Sequence, residues 1–294
     1  FALVFVFVIN RSKILNLIGK FLTPLIIIIL LIVIFISFST IPESIKLNTF
    51  ENPFISGLLE GYQTFDAIGA VVIGGVLVIS MNFNKNTSFE IKKEVISKAG
   101  IVAGIGLLII YTGLIYSGVV FGSTFADNAT RTEILTSLST QNLGDIGTSF
   151  LSVLVVLACF TTAVGIITGT SDYFKGLFPN SSKAYLVTAI ISCILGVVIG
   201  QFDVHYIIVI ALPALMFIYP ITIVLILLNV LPEKIASPTV FKTVIGVTFL
   251  FSIPDFLKFI INPEKLTGIQ SYIPFSEHSL GWVLPALFVF IFVN

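Results

Sequence analysis

Residues 57–79 read GLLEGYQTFDAIGAVVIGGVLVI, a stretch long enough to cross a bilayer that becomes uniformly apolar only after residue 66. Residues 57–70 contain three glycines together with four polar residues, Glu60, Gln63, Thr64 and Asp66. An ionised side chain within the hydrocarbon costs at least about 2.5 kcal/mol unless it is paired or faces water. The stretch therefore predicts a membrane helix with a polar site inside the span.

An interrupted helix is one explanation of this polar site. Such a helix exposes backbone N–H and C=O groups that bind a substrate carboxylate or a cation, and irregular backbone is tolerated at membrane depth where it lines a cavity. Gly61 and Gly69 would permit the interruption, and Asp66 would cap a new half-helix that begins at Ala67. The alternative is an intact helix in which Asp66 bonds a neighbouring helix.

The composition of the whole chain agrees with a membrane protein. Of its 294 residues, 56% are hydrophobic and 10% are charged, and the mean hydropathy is +1.10. Soluble domains carry about 25% charged residues, so a water-soluble globule is excluded, and the high hydrophobicity excludes a disordered chain. Fifteen basic residues balance fifteen acidic ones, which disfavours nucleic acid as a partner. Cys159 and Cys193 stand in apolar runs and are interpreted as buried hydrophobes.

Charge-free intervals of about 20 residues predict an all-α polytopic membrane protein folded as a helical bundle. We expect residues 1–294 to form a single transmembrane domain, and to be a fragment because the chain begins with Phe1 in about half a span. Eleven of the fifteen Lys and Arg residues fall in alternate loops, which places those loops in the cytoplasm. The predicted spans are 1–9, 21–40, 57–81, 99–121, 148–170, 185–200, 205–229, 238–257 and 281–294.

Glycines recur four residues apart within or beside several spans, a spacing that lets helix backbones approach closely. The pairs are Gly57 and Gly61, Gly100 and Gly104, Gly118 and Gly122, Gly165 and Gly169, and Gly196 and Gly200. Either packing within the bundle or a dimer seam would use them, and we expect packing within the bundle.

A second polar island lies in the middle of the span 148–170. Thr161 and Thr162 place adjacent hydroxyls there, and their oxygens suit a hard cation such as Na⁺. The alternative is that each hydroxyl bonds the carbonyl one turn back. No nucleotide-binding glycine loop, metal-ligand spacing or pair of reactive groups is present in the sequence, so we expect neither an enzyme nor a resident cofactor.

Three segments carry a family resemblance. Residues 61–70 (GYQTFDAIGA), 157–165 (LACFTTAVG) and 273–286 (IPFSEHSLGWVLPA) resemble motifs of the bacterial branched-chain amino acid carriers, which are symporters of leucine, isoleucine or valine with a cation. The resemblance implies a twelve-helix carrier with leucine-transporter-like inverted-repeat architecture, incomplete here at its N-terminus. It also implies a multi-pass location in the bacterial cytoplasmic membrane.

The resemblance assigns roles to both polar islands. It implies that a substrate site is lined by Tyr62, Gln63, Thr64, Phe65 and Asp66. Thr161 and Thr162 would match the hydroxyl pair of a sodium site. The expected activity is transport of a branched-chain amino acid coupled to sodium by alternating access. The alternatives are a permease with another substrate, proton coupling through Asp66 or Glu60, and, in another class, a membrane-embedded enzyme or a sensor.

Overall fold

The chain folds into helices. The computed structural model describes residues 1–10, 18–40, 52–82, 88–122, 129, 131–178, 181–261, 266, 268 and 271–294, and no strand occurs within these ranges. The helices in chain order are α1 (Ala2–Ile9), α2 (Thr23–Ser39), α3 (Pro53–Tyr62), α4 (Asp66–Asn82), α5 (Phe89–Phe121), α6 (Arg131–Leu177), α7 (Ser182–Ile199), α8 (Val204–Val230), α9 (Pro238–Leu257) and α10 (Val283–Val293). A π-helical turn, Ile18–Leu22, leads into α2, and a 3₁₀ turn, Ser276–His278, precedes α10.

Seven helical stretches of the described residues are long and apolar enough to cross a membrane. They are Gly19–Ser39, Pro53–Ile79, Phe89–Phe121, Gly147–Leu177, Ser182–Ile199, Tyr206–Val230 and Pro238–Leu257. These stretches coincide with seven of the predicted spans, while Val283–Val293 is a shorter apolar helix. The prediction of an all-α polytopic membrane protein is confirmed. The inverted repeat and the single domain stay predictions.

Two helices are longer than the sequence predicted. The span expected at 99–121 begins ten residues earlier, at Phe89, where the Ser88 hydroxyl accepts the N–H of Ile91 at 3.5 Å. This N-cap satisfies one of the amides that a helix start leaves without a partner. Helix α6 runs from Arg131 through the predicted outer loop and is kinked at Gly144, whose φ of 61° is accessible to glycine.

The chain divides into two compact units. The first contains residues 1–49 and 72–195, and the second contains residues 50–71 and 196–294, so α4 begins in the second unit and ends in the first. In the first unit, α1, α6 and α7 share a core formed by Val4, Val8, Val164, Ile167, Ala189 and Cys193. The Tyr185 hydroxyl donates to the Val8 carbonyl at 2.8 Å and fastens α7 to the end of α1.

Glycine packing among the described residues differs from the predicted pattern. A Cβ atom at Gly169 would lie 2.9 Å from Val76, and one at Gly165 would lie 3.7 Å from Ile73, so this pair does let α6 approach α4. The closest approach, 2.6 Å to Ile34, is at Gly113, which the spacing rule missed. A Cβ would meet nothing within 4 Å at Gly57, Gly61, Gly100, Gly104, Gly118 or Gly122. Packing within the bundle is therefore seen for one predicted pair, and for these three it stays a prediction, since the described residues place no neighbour beside them.

The second unit is built around α8, α9 and α10. Its core comprises Val224, Leu228, Ala236, Val240, Val244, Trp282 and Ala286, and the ring of Tyr62 packs against it. Helix α9 starts at Ser237, whose hydroxyl accepts the Val240 N–H at 3.4 Å, and Pro238 occupies its first turn. This core packs against the end of α3, where the first polar island lies.

Candidate functional site

The polar island at residues 57–70 is an interrupted helix. Helix α3 ends at Tyr62 and α4 begins at Asp66. Between them Phe65 has a φ of 54°, a left-handed conformation that costs a bulky residue energy. The predicted interruption is confirmed, but the residues expected to permit it are not the ones that form it. Gly61 and Gly69 lie inside the two helices. The residue that leaves the right-handed helical conformation is Phe65.

Short-range hydrogen bonds close the interruption. The Thr64 hydroxyl and its backbone N–H both donate to the Gly61 carbonyl, at 2.8 and 3.3 Å. The Ile68 N–H donates to the Phe65 carbonyl at 3.1 Å, so α4 starts with a tight turn. The first turn of a helix carries positive partial charge on its N–H groups, and the last turn carries negative partial charge on its carbonyls. The interruption therefore places the end of α3, which favours a positive charge, within a few residues of the start of α4, which favours a negative charge.

Aromatic side chains hold the interruption in place. The rings of Tyr62 and Phe65 both meet Tyr219 of α8 edge to face, with centroid distances of 4.8 and 5.1 Å. Tyr219 is buried and directly precedes Pro220, which lies inside α8. Because proline has no N–H, the Met216 carbonyl one turn back lacks its intrahelical donor. The Met216 carbonyl is thus a further backbone hydrogen-bond acceptor on the helix that contacts the interruption.

The remaining predicted residues of this island are less enclosed by the described part of the chain. Thr64 and Asp66 are exposed, and Gln63 is half-buried. Asp66 is the first residue of α4, where its negative charge favours the positive end of that helix. The structure thus gathers Tyr62, Phe65 and Tyr219 by ring contacts, while the carboxylate stands at the edge of the group.

The hydroxyl pair lies in the other compact unit. Thr161 is half-buried and donates to the Ala158 carbonyl at 3.0 Å, which is the local bond considered as its alternative role. Thr162 is exposed on the adjacent face of α6. Among the described residues, no three His, Cys, Asp or Glu side chains gather as a metal site. The sodium role of the pair stays a prediction.

An ion pair that the sequence analysis missed lies in the second unit. Lys258 donates to Asp255 Oδ1 at 2.9 Å, and the Asp255 side chain is only 3% exposed. Lys258 also donates to the Ser276 carbonyl at 2.6 Å and reaches the Ser279 hydroxyl at 3.5 Å. A carboxylate near the end of an apolar span, three residues before a lysine, was the available signal.

The segment 273–286 forms the turn that receives Lys258. Phe275 and Ser279 adopt left-handed φ values of 62° and 55° on either side of the 3₁₀ turn. A Cβ at Gly281 would lie 2.8 Å from Ile273, so glycine is needed where the chain folds back. The motif that carried part of the family resemblance therefore contains a turn that binds the ammonium group of a lysine.

Comparison with known proteins gives one consistent result. A family model described as branched-chain amino acid transport protein matches residues 1–294. The chain is 30% identical, over 97% of its length, to the branched-chain amino acid transport system 2 carrier protein of Pseudomonas aeruginosa. It is similar to two Bacillus subtilis branched-chain amino acid permeases, with 30% identity to BraB and 32% to BrnQ, each over 98% of the chain.

The matched relatives are longer than this chain. The alignments cover 65% of the Pseudomonas carrier, 65% of BraB and 66% of BrnQ, so the chain spans about two thirds of their length. The names of the family and its members are those of carriers and permeases, which agrees with the expectation that the chain is not an enzyme. No solved structure matches the chain.

Proposed function

Because the chain belongs to the branched-chain amino acid transport protein family, we propose that the protein moves leucine, isoleucine or valine across the bacterial cytoplasmic membrane by cation-coupled secondary transport. The observation that carries the proposal is the interruption between Tyr62 and Asp66 inside an apolar span. An uninterrupted helix would offer an amino acid only side-chain partners at membrane depth, because its backbone groups bond one another.

The interrupted helix suits both ends of an amino-acid zwitterion. The N–H groups that open α4 would bind the substrate carboxylate, and the carbonyls that close α3 would bind its ammonium group. The rings of Tyr62, Phe65 and Tyr219 supply an apolar surface beside these groups for the aliphatic side chain. A zwitterion bound in this way satisfies its charges with backbone dipoles and adds no net charge to the membrane interior.

For the coupling cation we propose sodium bound at Thr161 and Thr162. The bond from Thr161 to the Ala158 carbonyl uses the hydroxyl hydrogen and leaves the oxygen lone pairs available to a cation. One charge crossing 100 mV supplies about 2.3 kcal/mol. This energy supports roughly forty-fold accumulation per cation. Cation binding would favour the closed cavity, and alternate opening of the cavity would complete the cycle.

Radiolabelled leucine uptake by the full-length protein in proteoliposomes tests the proposal. We expect uptake that requires a membrane gradient and falls at least tenfold when sodium is replaced by choline at fixed pH. Uptake that is unaffected by choline but follows a proton gradient would refute sodium coupling while retaining transport. Absence of uptake of all three amino acids under every gradient would refute the transport proposal.

Two substitutions test the residues assigned to the cycle. Asp66→Asn should raise the leucine concentration needed for half-maximal uptake, because the Asp66 carboxylate would attract the substrate ammonium group that the nearby α3 carbonyls bind. Thr162→Ala should raise the sodium concentration needed and leave the leucine dependence at saturating sodium nearly unchanged. Thr170→Ala is the matched control, since it removes another threonine hydroxyl of α6, one that donates to the Ile166 carbonyl at 2.9 Å. Equal effects of the two threonine variants would refute the cation assignment.

A further inference from the structure

A pocket of about 430 Å³ lies where α4 ends and α5 begins. Both of the helix segments that form it belong to the first compact unit. The lining residues are Val78 and Met81 of α4 and Phe89, Lys92, Lys93, Ile96 and Ser97 of α5. Pockets that hold a small-molecule ligand measure about 300–1,000 Å³, so this one can receive a ligand of that size.

One face of α5 forms its share of the lining. Phe89, Lys92, Lys93 and Ile96 are spaced i, i+3, i+4 and i+7, which puts them on the same side of the helix. Lys92 is half-buried and Lys93 is exposed. The pocket therefore combines two basic side chains with apolar walls from both helices.

The acidic residues at the start of α5 lie on another side of the helix. Glu90 and Glu94 fall outside the spacing of the lining residues, and Glu94 accepts from Lys98 at 2.6 Å. No acidic side chain occurs among the described residues that line the pocket. An anion that enters it would meet two ammonium groups and no lining carboxylate.

The pocket stands where an apolar span meets water. It lies at the end of the span Pro53–Ile79 and at the beginning of the span Phe89–Phe121. Lysine side chains at such a level cover apolar surface with their stems and keep their charged heads among the lipid headgroups. A free phosphate ion would gain nothing from the apolar walls, whereas a phospholipid offers a phosphate to the lysines and hydrocarbon to the walls.

We propose that this pocket binds one anionic phospholipid. The lipid phosphate pairs with Lys92 and Lys93, and the first part of an acyl chain contacts Val78, Met81 and Ile96. A lysine near an anionic lipid contributes about a five-fold gain in affinity, so the pair contributes roughly thirty-fold. A zwitterionic lipid gains less, because it carries its own cation beside the phosphate. The site does not depend on the proposed transport cycle.

Lipid titration of the purified, delipidated full-length protein, followed by native mass spectrometry, tests the proposal. We expect dioleoylphosphatidylglycerol to bind at least about tenfold more tightly than dioleoylphosphatidylcholine. Lys92→Gln with Lys93→Gln should remove this preference. Lys175→Gln with Lys183→Gln is the matched control, because it removes the same charge from α6 and α7, outside the pocket lining. It should change the affinity by less than about twofold.

Four results would overturn the proposal. Equal affinity for the two lipids would show that the pocket does not select an anion. Equal losses in the two glutamine variants would show a general attraction of charge to the membrane surface. Displacement of the lipid by glycerol 3-phosphate would show a site for a free phosphate. Lys92→Arg with Lys93→Arg keeps both charges and should retain the preference, so its loss in that variant would show that these charges do not bind the lipid.

Discussion

Removal of one partner of the buried Asp255–Lys258 pair should destabilise the protein strongly. In Lys258→Met the carboxyl group of Asp255, only 3% exposed, loses its cation. Breaking a buried ion pair in this way costs about 3–5 kcal/mol. Lys258 is itself 21% exposed, so water partly screens the pair and the lower end of that range applies. A loss of about 3 kcal/mol corresponds to a fall of roughly 6–12 °C in melting temperature.

Thermal unfolding of the purified protein in detergent measures this loss, and two further variants identify its cause. The double variant Asp255→Asn with Lys258→Met should recover most of the stability, because no charge is then left buried without a partner. Lys98→Met is the matched control. It breaks a shorter ion pair, 2.6 Å to Glu94, whose side chains are 73% and 63% exposed, so its loss should stay below about 1 kcal/mol. Equal losses for Lys98→Met and Lys258→Met would refute the reasoning.

Two further predictions concern backbone positions. Gly113→Ala should lower stability by about 1–3 kcal/mol in thermal unfolding, because its Cβ would lie 2.6 Å from Ile34. Adding Ile34→Ala should restore much of the loss, and Gly118→Ala, which meets nothing within 4 Å, should cause none. Phe65→Gly should be more stable than Phe65→Ala because φ is positive there. At the exposed helical residue Phe288 the alanine variant should instead be the more stable one, by about 1 kcal/mol. If the glycine variant is the more stable one at both positions, or the alanine variant at both, the argument is contradicted.

The existence of the helix interruption could be predicted from the sequence, but its exact place could not. Polar residues inside an apolar span indicate that backbone or side chains face something other than lipid, whichever residue carries the turn. The prediction placed the turn at glycines because they adopt positive φ at no steric cost. The structure places it at Phe65, whose ring contact with Tyr219 stabilises the strained conformation. That contact joins residues far apart in the chain, so no local pattern reveals it.

The glycine pairs and the buried ion pair also show that a local sequence pattern predicts the type of feature, whereas contacts between distant residues decide where it forms. Four-residue spacing identifies helix faces that allow close approach but not which face a neighbour covers, and so it identified Gly165 and Gly169 and missed Gly113. Asp255 and Lys258 stand at the end of an apolar span, where a sequence alone suggests ordinary interfacial charges. Their burial comes from the turn at Ser276, which the chain adds only after α9 has ended.

Helix α5 is longer than the hydrocarbon layer of a membrane is thick. Its 33 residues extend about 50 Å, whereas the hydrocarbon layer measures about 30 Å. The surplus lies at the lysine-bearing beginning of the helix, where Lys92, Lys93 and Lys98 would stand among the lipid headgroups. A thinner bilayer would leave more of the apolar part of α5 outside the hydrocarbon, so α5 should tilt to keep that part covered while the three lysines stay at the headgroups.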